Sequence, residues 1–248
     1  MSDHVLTSYF GDIFFEFKVH DDPSNTIVYL PGFPSSSSKE DKIEYLYSCG
    51  YNVFAPKYRG TYQSHGMFLN ENPVDDFAPF LEQLRQGRAT NLWDKSQVAY
   101  EVNELIVFGS SFSGGIATSL TTKVDVDSLV LLAPVIHYDT LDDGQDLDHL
   151  TEFVQRAFQH VIRFDFDDLT DQLYRYKDCK PASYLDDAST PTLILHGKDD
   201  KTVPLQHSAD VADEHDTIKL VEVDGVAHSS TSLLKEQETT WQKFVHRH

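Results

Sequence analysis

The feature that most constrains the fold is a strand–turn–helix segment at residues 104–120. An apolar run predicts a buried strand, small Gly and Ser residues follow at once, and the spacing beyond them predicts a helix. A serine at such a junction lies in a tight turn that lifts its hydroxyl clear of the sheet, which singles out Ser111. Gly109 and Ser113 flank it two residues away, where the usual pattern has glycine at both places. The segment predicts a nucleophilic serine, and a Gly/Ser-rich turn without chemistry is the alternative.

Predicted strands and helices alternate along the chain, which favours a mostly parallel sheet with helices on both faces. From residue 139 to about residue 180 the sequence is polar with helical spacing, and it resembles an insertion more than another strand–helix unit. The helical spacing predicts one apolar face, formed by Leu150, Phe153, Val154, Ala157, Phe158 and Val161. We find no internal repeat and no linker long enough to divide domains. We therefore predict one α/β domain over residues 1–248 with a small helical cap insertion at about residues 139–180.

Composition argues against several classes of partner. With 40 acidic against 20 basic residues, the chain has a net charge of −20, a field that repels phosphate backbones, so we expect no nucleic-acid partner. No apolar run approaches a membrane span, and the first residues lack the features of a secretory signal. Two cysteines, Cys49 and Cys179, form neither a disulfide framework nor a metal-ligand spacing. We expect a cytoplasmic protein without a membrane partner.

Residue types that could activate a serine lie in two later loops. A serine hydroxyl needs a base, and the base needs a carboxylate to orient it. Asp199 and Asp200 follow one predicted strand, and His228 follows the next. The carboxyl ends of strands in an open α/β sheet meet at one edge, where ligands bind, so three loops can bring these side chains to Ser111. Spacing alone does not choose between Asp199 and Asp200.

Together these motifs resemble the α/β-hydrolases, and most closely the short, propeller-free relatives of the prolyl oligopeptidase and dienelactone hydrolase group. The matching segments are residues 109–115, His196-Gly197 followed by Asp200 and Val203-Pro204, residues 225–228, residues 58–60 and residues 133–135. Because several motifs match in the right order over nearly the whole chain, the resemblance is more specific than any one of them. It implies the α/β-hydrolase fold.

The resemblance also implies roles for individual residues. It makes Ser111 the nucleophile, His228 the general base and Asp200 the acid that orients the base. The spacing of the acid from the His-Gly pair favours Asp200, which leaves Asp199 as a surface residue.

An oxyanion hole is implied as well. Its donors would be the backbone N–H groups of Phe33 and Phe112. Pro31 stands in the first of these loops where relatives often carry histidine, but Phe33 keeps its own N–H.

The reaction implied is hydrolysis of a carboxylic ester of a small or medium-sized substrate through an acyl-enzyme, with no metal or organic cofactor. Esters come first because they have good leaving groups. The alternative is a small serine aminopeptidase or oligopeptidase of the prolyl oligopeptidase type, which would act on short peptides. A remote alternative is a binding protein on a hydrolase scaffold that has lost catalysis.

Acidic residues are concentrated at residues 139–171, where ten carboxylates face only Arg156 and Arg163. A solvated surface is the simplest interpretation. If this segment covers Ser111, its field would favour neutral or cationic acyl groups over anionic ones, most strongly at low salt.

Overall fold

The computed structural model describes residues 4–136, 147–165, 171–172 and 189–246. Within these residues, eight strands form a central sheet: β1 (Leu6–Phe10), β2 (Ile13–Lys18), β3 (Ser24–Leu30), β4 (Asn52–Pro56), β7 (Val102–Ser110), β8 (Ser128–Leu132), β9 (Thr192–Gly197) and β10 (Ile218–Val223). A separate two-stranded ribbon consists of β5 (Arg88–Thr90) and β6 (Gln97–Ala99). The order across the large sheet is β1-β2-β4-β3-β7-β8-β9-β10.

The sheet is antiparallel at one side and parallel elsewhere. β1 and β2 form an antiparallel hairpin, and β2 pairs antiparallel with β4. From β4 across to β10, every neighbouring pair is parallel. The predicted mostly parallel sheet is therefore confirmed, and the loops that follow β3, β7, β9 and β10 converge at the same edge.

Helices cover both faces of the sheet, as predicted. The described helices are α1 (Glu40–Ser48), α2 (Pro73–Leu84), α3 (Ser113–Leu120), α4 (Leu147–Phe158), α5 (Leu205–Glu214), α6 (Ser230–Glu236) and α7 (Glu238–Val245). Side chains alternate between the two faces of a strand. Along β3, Ile27 and Tyr29 pack in the apolar layer that contains Trp241 of α7, whereas Val28 and Leu30 pack in the opposite layer with α2 and α3. No helix in the described ranges is long and apolar enough to cross a membrane.

Helix α4 lies between β8 and β9 in the chain, within the region predicted as an insertion. Val154 is fully buried, and Leu150 and Phe158 pack partly against the same apolar layer. We expected Phe153 on this buried face, but it is 47% exposed, because it lies about 100° around the helix from Val154 and at the margin of the apolar stripe.

Much of the predicted insertion falls outside the described residues, namely 139–146, 166–170 and 173–180. The cap over residues 139–180 and the single domain over residues 1–248 therefore stay predictions.

Candidate active site

Ser111 lies in a strained turn between β7 and α3. Its φ is +53°, in the left-handed region that residues with a side chain seldom adopt. Three backbone hydrogen bonds hold it there. The Ser111 N–H donates to the Leu132 carbonyl at 2.9 Å, and the N–H groups of Gly114 and Val135 donate to the Ser111 carbonyl at 2.8 and 2.9 Å. The end of β8 and the start of α3 thus determine the conformation of this serine from both sides.

The two residues that flank Ser111 support the turn in different ways. A Cβ on Gly109 would lie 2.6 Å from the Cβ of Ala117, so glycine is required where α3 packs on β7. Ser113, which stands where the usual pattern has glycine, is fully buried. Its hydroxyl accepts a hydrogen bond from the Ser110 N–H and lies within donating distance of the Leu30 carbonyl, each at 2.7 Å. The departure from the pattern therefore adds a link between the ends of β7 and β3.

A chain of hydrogen bonds connects the side chains of the three loops. The His228 ring joins Asp200 Oδ2 through Nδ1 at 2.7 Å and Ser111 Oγ through Nε2 at 2.9 Å. Because the carboxylate can only accept, Nδ1 carries the proton and Nε2 is left to accept the serine hydroxyl proton. Asp199, the neighbouring candidate, is exposed. The structure therefore brings Asp200, and not Asp199, to His228.

Asp200 is held as a buried carboxylate. Its Oδ1 accepts hydrogen bonds from the N–H groups of Thr202 and Val203 at 2.8 and 3.0 Å, and its side chain has no exposed surface. Burial alone would raise the pKa of the carboxyl group. Hydrogen bonds from His196, His228 and the Val203 N–H outweigh that effect, so the pKa of Asp200 lies well below its usual range. The Asp200 carboxyl group is therefore ionised near neutral pH.

His196, at the end of β9, contacts the buried Asp200 carboxylate. Its Nε2 lies 3.1 Å from the Val203 carbonyl and 3.3 Å from Asp200 Oδ2, and both neighbours are acceptors. Nε2 therefore carries the proton, and Nδ1 accepts the hydroxyl of Ser208 at 2.8 Å. His196 is completely buried and connects the Asp200 loop to α5.

The loop after β3 runs directly beside the serine. A Cβ on Gly32 would lie 3.1 Å from the Ser111 Cβ, and the Tyr58 hydroxyl donates to the Pro31 carbonyl at 2.8 Å. The ring of Phe33 stacks on Phe68 with centroids 4.2 Å apart. These contacts position the Phe33 backbone next to the nucleophile.

Phe33, Phe112, Ser111 and His228 line one cavity of about 540 Å³, a size typical of small-molecule sites. Its apolar lining includes Leu132, Ala133, Val135 and Leu150. The last of these belongs to α4, so the insertion reaches the cavity.

Two lysines, Lys39 and Lys42, also line this cavity, and the sequence reasoning missed them. Lys39 is the N-cap residue of α1, and Lys42 lies in the first turn. Lysines are disfavoured at a helix N-terminus because the helix dipole is positive there, and that signal could have drawn attention to both.

One protein-family model and several known proteins are similar to this chain. The family model described as BD-FAE matches residues 93–214. The chain is 28% identical over 209 residues to acylamino-acid-releasing enzyme 1 of Oryza sativa subsp. japonica. The aligned segment covers 75% of this chain and 24% of that protein. It is 26% identical over 188 residues to the lysophosphatidylserine lipase ABHD12 of Danio rerio, covering 73% of this chain and 44% of that protein.

Among solved structures, that of DcsB in complex with its substrate analogue has a TM-score of 0.73 and 16% sequence identity, covering 99% of this chain and 98% of the other. The matched curated relatives are longer proteins, and the chain spans less than half of each. The sheet order, the serine turn after β7, and these likenesses agree. This chain has the α/β-hydrolase fold.

Proposed function

We propose that the chain is a serine hydrolase that cleaves a carboxylic ester of a small or medium-sized substrate through an acyl-enzyme intermediate. The observation that carries the proposal is the continuous hydrogen-bond chain from Asp200 through His228 to the hydroxyl of Ser111. These hydrogen bonds lead to a serine in the wall of a cavity large enough for such a substrate. A serine with no base within reach would be a weak nucleophile near neutral pH.

In the proposed reaction, Ser111 Oγ attacks the ester carbonyl carbon while His228 Nε2 takes the hydroxyl proton. The Asp200 carboxylate holds the imidazole in the required tautomer and stabilises the imidazolium that forms. The tetrahedral intermediate then collapses, the C–O bond to the alcohol breaks, and His228 returns the proton to the leaving oxygen. Water attacks the acyl-serine with His228 again as base, which releases the acid and restores Ser111.

The negative charge on the intermediate requires donors. We propose that the N–H of Phe112, at the start of α3, and the N–H of Phe33 supply them. Their support is that both residues line the cavity with Ser111 and that the Gly32 loop passes beside the serine. Preformed donors of this kind each contribute about 10²–10³ in turnover.

Peptide hydrolysis is the second candidate. Its support is the 28% identity to acylamino-acid-releasing enzyme 1. The identity to a lysophosphatidylserine lipase supports ester cleavage instead. Parallel assays with 4-nitrophenyl esters and aminoacyl 4-nitroanilides decide between the two. We expect the esters to be hydrolysed faster, and turnover of the anilides alone would favour the peptidase.

The test of the serine mechanism is labelling with a fluorophosphonate followed by peptide mapping. We expect the adduct on Ser111 and on neither Ser110 nor Ser113, and we expect Ser111→Ala to abolish labelling and lower turnover by about 10⁴–10⁶. Ser119→Ala is the matched control, because Ser119 lies on the same helix and its hydroxyl bonds to the Gly115 carbonyl away from the cavity. An adduct on Ser110, or full activity of Ser111→Ala, would overturn the assignment. A protein that neither labels nor turns over any ester would support the binding-protein alternative.

A further inference from the structure

Acidic residues outnumber basic ones by 40 to 20 in this chain, yet two lysines line the cavity that contains Ser111. Lys39 is buried, with only 6% of its surface exposed, and its ammonium group donates to the carbonyl of Ser36 and lies 3.4 Å from the Ser36 hydroxyl. Lys42 is half-buried, and its Nζ donates to Thr231 Oγ1 at 3.1 Å. Neither lysine forms a salt bridge within the part of the chain that the structure describes.

The carboxylate that acts electrostatically on Lys39 is that of Glu16, and it is already engaged elsewhere. Glu16 accepts hydrogen bonds from the Ser38 hydroxyl and the Lys39 backbone N–H, and it pairs with Lys57 at 3.7 Å. Its carboxylate therefore does not neutralise the Lys39 ammonium directly. Buried lysines without a carboxylate partner are rare, because a charge taken out of water is costly unless something pairs with it.

The electrostatic surroundings of both lysines are unfavourable to their charge. Burial, followed by repulsion from Lys42, lowers the pKa of Lys39 to about 8. Burial also lowers the pKa of Lys42. The charged groups that act on the two ammonium groups are Glu16, Asp41, Lys57 and Lys235. An anion placed between Lys39 and Lys42 would relieve the mutual repulsion and replace part of the lost hydration.

The cavity is divided in chemical character. Hydroxyl groups of Tyr29, Ser36 and Ser230 line it together with the two lysines, and Tyr29 Oη lies 3.2 Å from Ser230 Oγ. Apolar residues line it as well, and none of the described lining residues is acidic. The cavity therefore offers both cationic and hydroxyl donors and apolar surface.

We infer that Lys39 and Lys42 form a binding site for an anionic oxygen group, a carboxylate or a phosphate, within the same cavity as Ser111. The inference rests on the proposed function and narrows its substrate class to esters that carry a negative charge in the same molecule. Such a substrate would place its reacting carbonyl at Ser111 and its anionic group against the two ammonium groups. The acidic segment at residues 139–171 predicts the opposite, a preference for neutral or cationic esters. Whether anionic or cationic esters react faster therefore distinguishes the lysine site from the acidic segment as the cause of selectivity.

The test compares matched 4-nitrophenyl esters whose six-carbon acyl chains end in a carboxylate, a methyl ester or a trimethylammonium group. A fourth ester ends in a phosphate and separates the two anionic chemistries. We expect the highest kcat/KM for one of the anionic esters. We expect Lys42→Gln to lower the ratio of anionic to neutral kcat/KM about 10- to 100-fold, the effect of losing a hydrogen bond to a charged group.

Lys219→Gln is the matched control, because Lys219 is exposed on β10 and its loss changes the net charge equally. It should leave the ratio as it is in the wild type. Lys39→Gln should act like Lys42→Gln, and if removal of its bond to Ser36 unfolds the loop, the Lys42 variant still decides the question. A higher kcat/KM for the cationic ester, or a ratio unchanged in Lys42→Gln, would overturn the inference.

Binding measured without turnover separates this inference from the proposed function. Calorimetric titration of Ser111→Ala with adipate should give a dissociation constant that rises at least about tenfold when Lys42→Gln is added. If fluorophosphonate fails to label the wild type but adipate binding depends on Lys42, the esterase is wrong and the anion site stands. If labelling and ester turnover are normal but adipate does not bind, the anion site is wrong and the esterase stands.

Discussion

Replacing Asp200 by asparagine preserves the shape of the side chain and exchanges one carboxylate oxygen for an NH₂ group. The carbonyl oxygen of the new amide can still accept the N–H groups of Thr202 and Val203, which now bond to Oδ1. The NH₂ group then stands where Oδ2 lies, 2.7 Å from His228 Nδ1 and 3.3 Å from His196 Nε2. At both contacts a donor would meet a donor.

The substitution also affects the serine. His228 can avoid the contact between two donors by moving its proton to Nε2, so that Nδ1 accepts a hydrogen bond from the amide NH₂ group. Nε2–H then points at Ser111 Oγ and can no longer take its proton, and the imidazolium loses its counter-charge. We expect turnover to fall by about 10⁴, equivalent to about 5.4 kcal/mol of transition-state stabilisation.

The assay is kcat/KM for 4-nitrophenyl butyrate, together with the rate of fluorophosphonate labelling and the urea midpoint of unfolding. Asp199→Asn is the control, since it makes the same charge change one residue away on an exposed side chain. It should change stability by no more than about 0.5 kcal/mol and leave turnover close to that of the wild type. A large loss in Asp199→Asn together with a small one in Asp200→Asn would refute the reasoning.

Two further outcomes follow from the site. Ser113→Ala removes the acceptor of the Ser110 N–H and should lower the free energy of unfolding in urea by about 1–3 kcal/mol. Fluorophosphonate should still label Ser111 in this variant. An unchanged free energy of unfolding would contradict the structural role of the Ser113 hydroxyl. The preference for anionic esters should be full below pH 8 and decline as the pH rises through about 8, because the folded-state pKa of Lys39 is lowered to about 8 and its ammonium loses its charge there. The ratio of anionic to neutral kcat/KM, measured across that range, checks this, and a flat ratio would contradict it.

Local sequence patterns predicted most of the sheet and the positions of its loops. Apolar strands followed by helical spacing define the parallel units, and the carboxyl ends of parallel strands must share an edge. For this reason Ser111, Asp200 and His228 could be expected at one edge despite their separation in the chain. The helical period likewise predicted a buried face on α4, but it wrongly included Phe153, whose burial at the margin of the stripe depends on what packs against it.

Other features depended on contacts that no local pattern encodes. Asp199 and Asp200 are adjacent and chemically identical, and only the path of the loop after β9 buries one carboxylate against His228 and leaves the other in solvent. In the sequence, Ser113 is only a mild departure from glycine. Its hydroxyl links β7 to β3 because the Leu30 carbonyl lies within hydrogen-bond distance, and that distance is set by the tertiary structure.

The sequence by itself determined the fold class and the order of serine, acid and histidine, because strand and helix periodicity and the strand-to-helix turn are local properties of the chain. Only the tertiary structure showed that the Asp200 carboxylate, which the family resemblance favoured over that of Asp199, contacts both His228 and His196, and that Lys39 and Lys42 line the cavity of Ser111. The physical reason is that a cavity is built from segments far apart in sequence, and the burial that gives a lysine or a carboxylate its special electrostatics exists only after those segments have packed together.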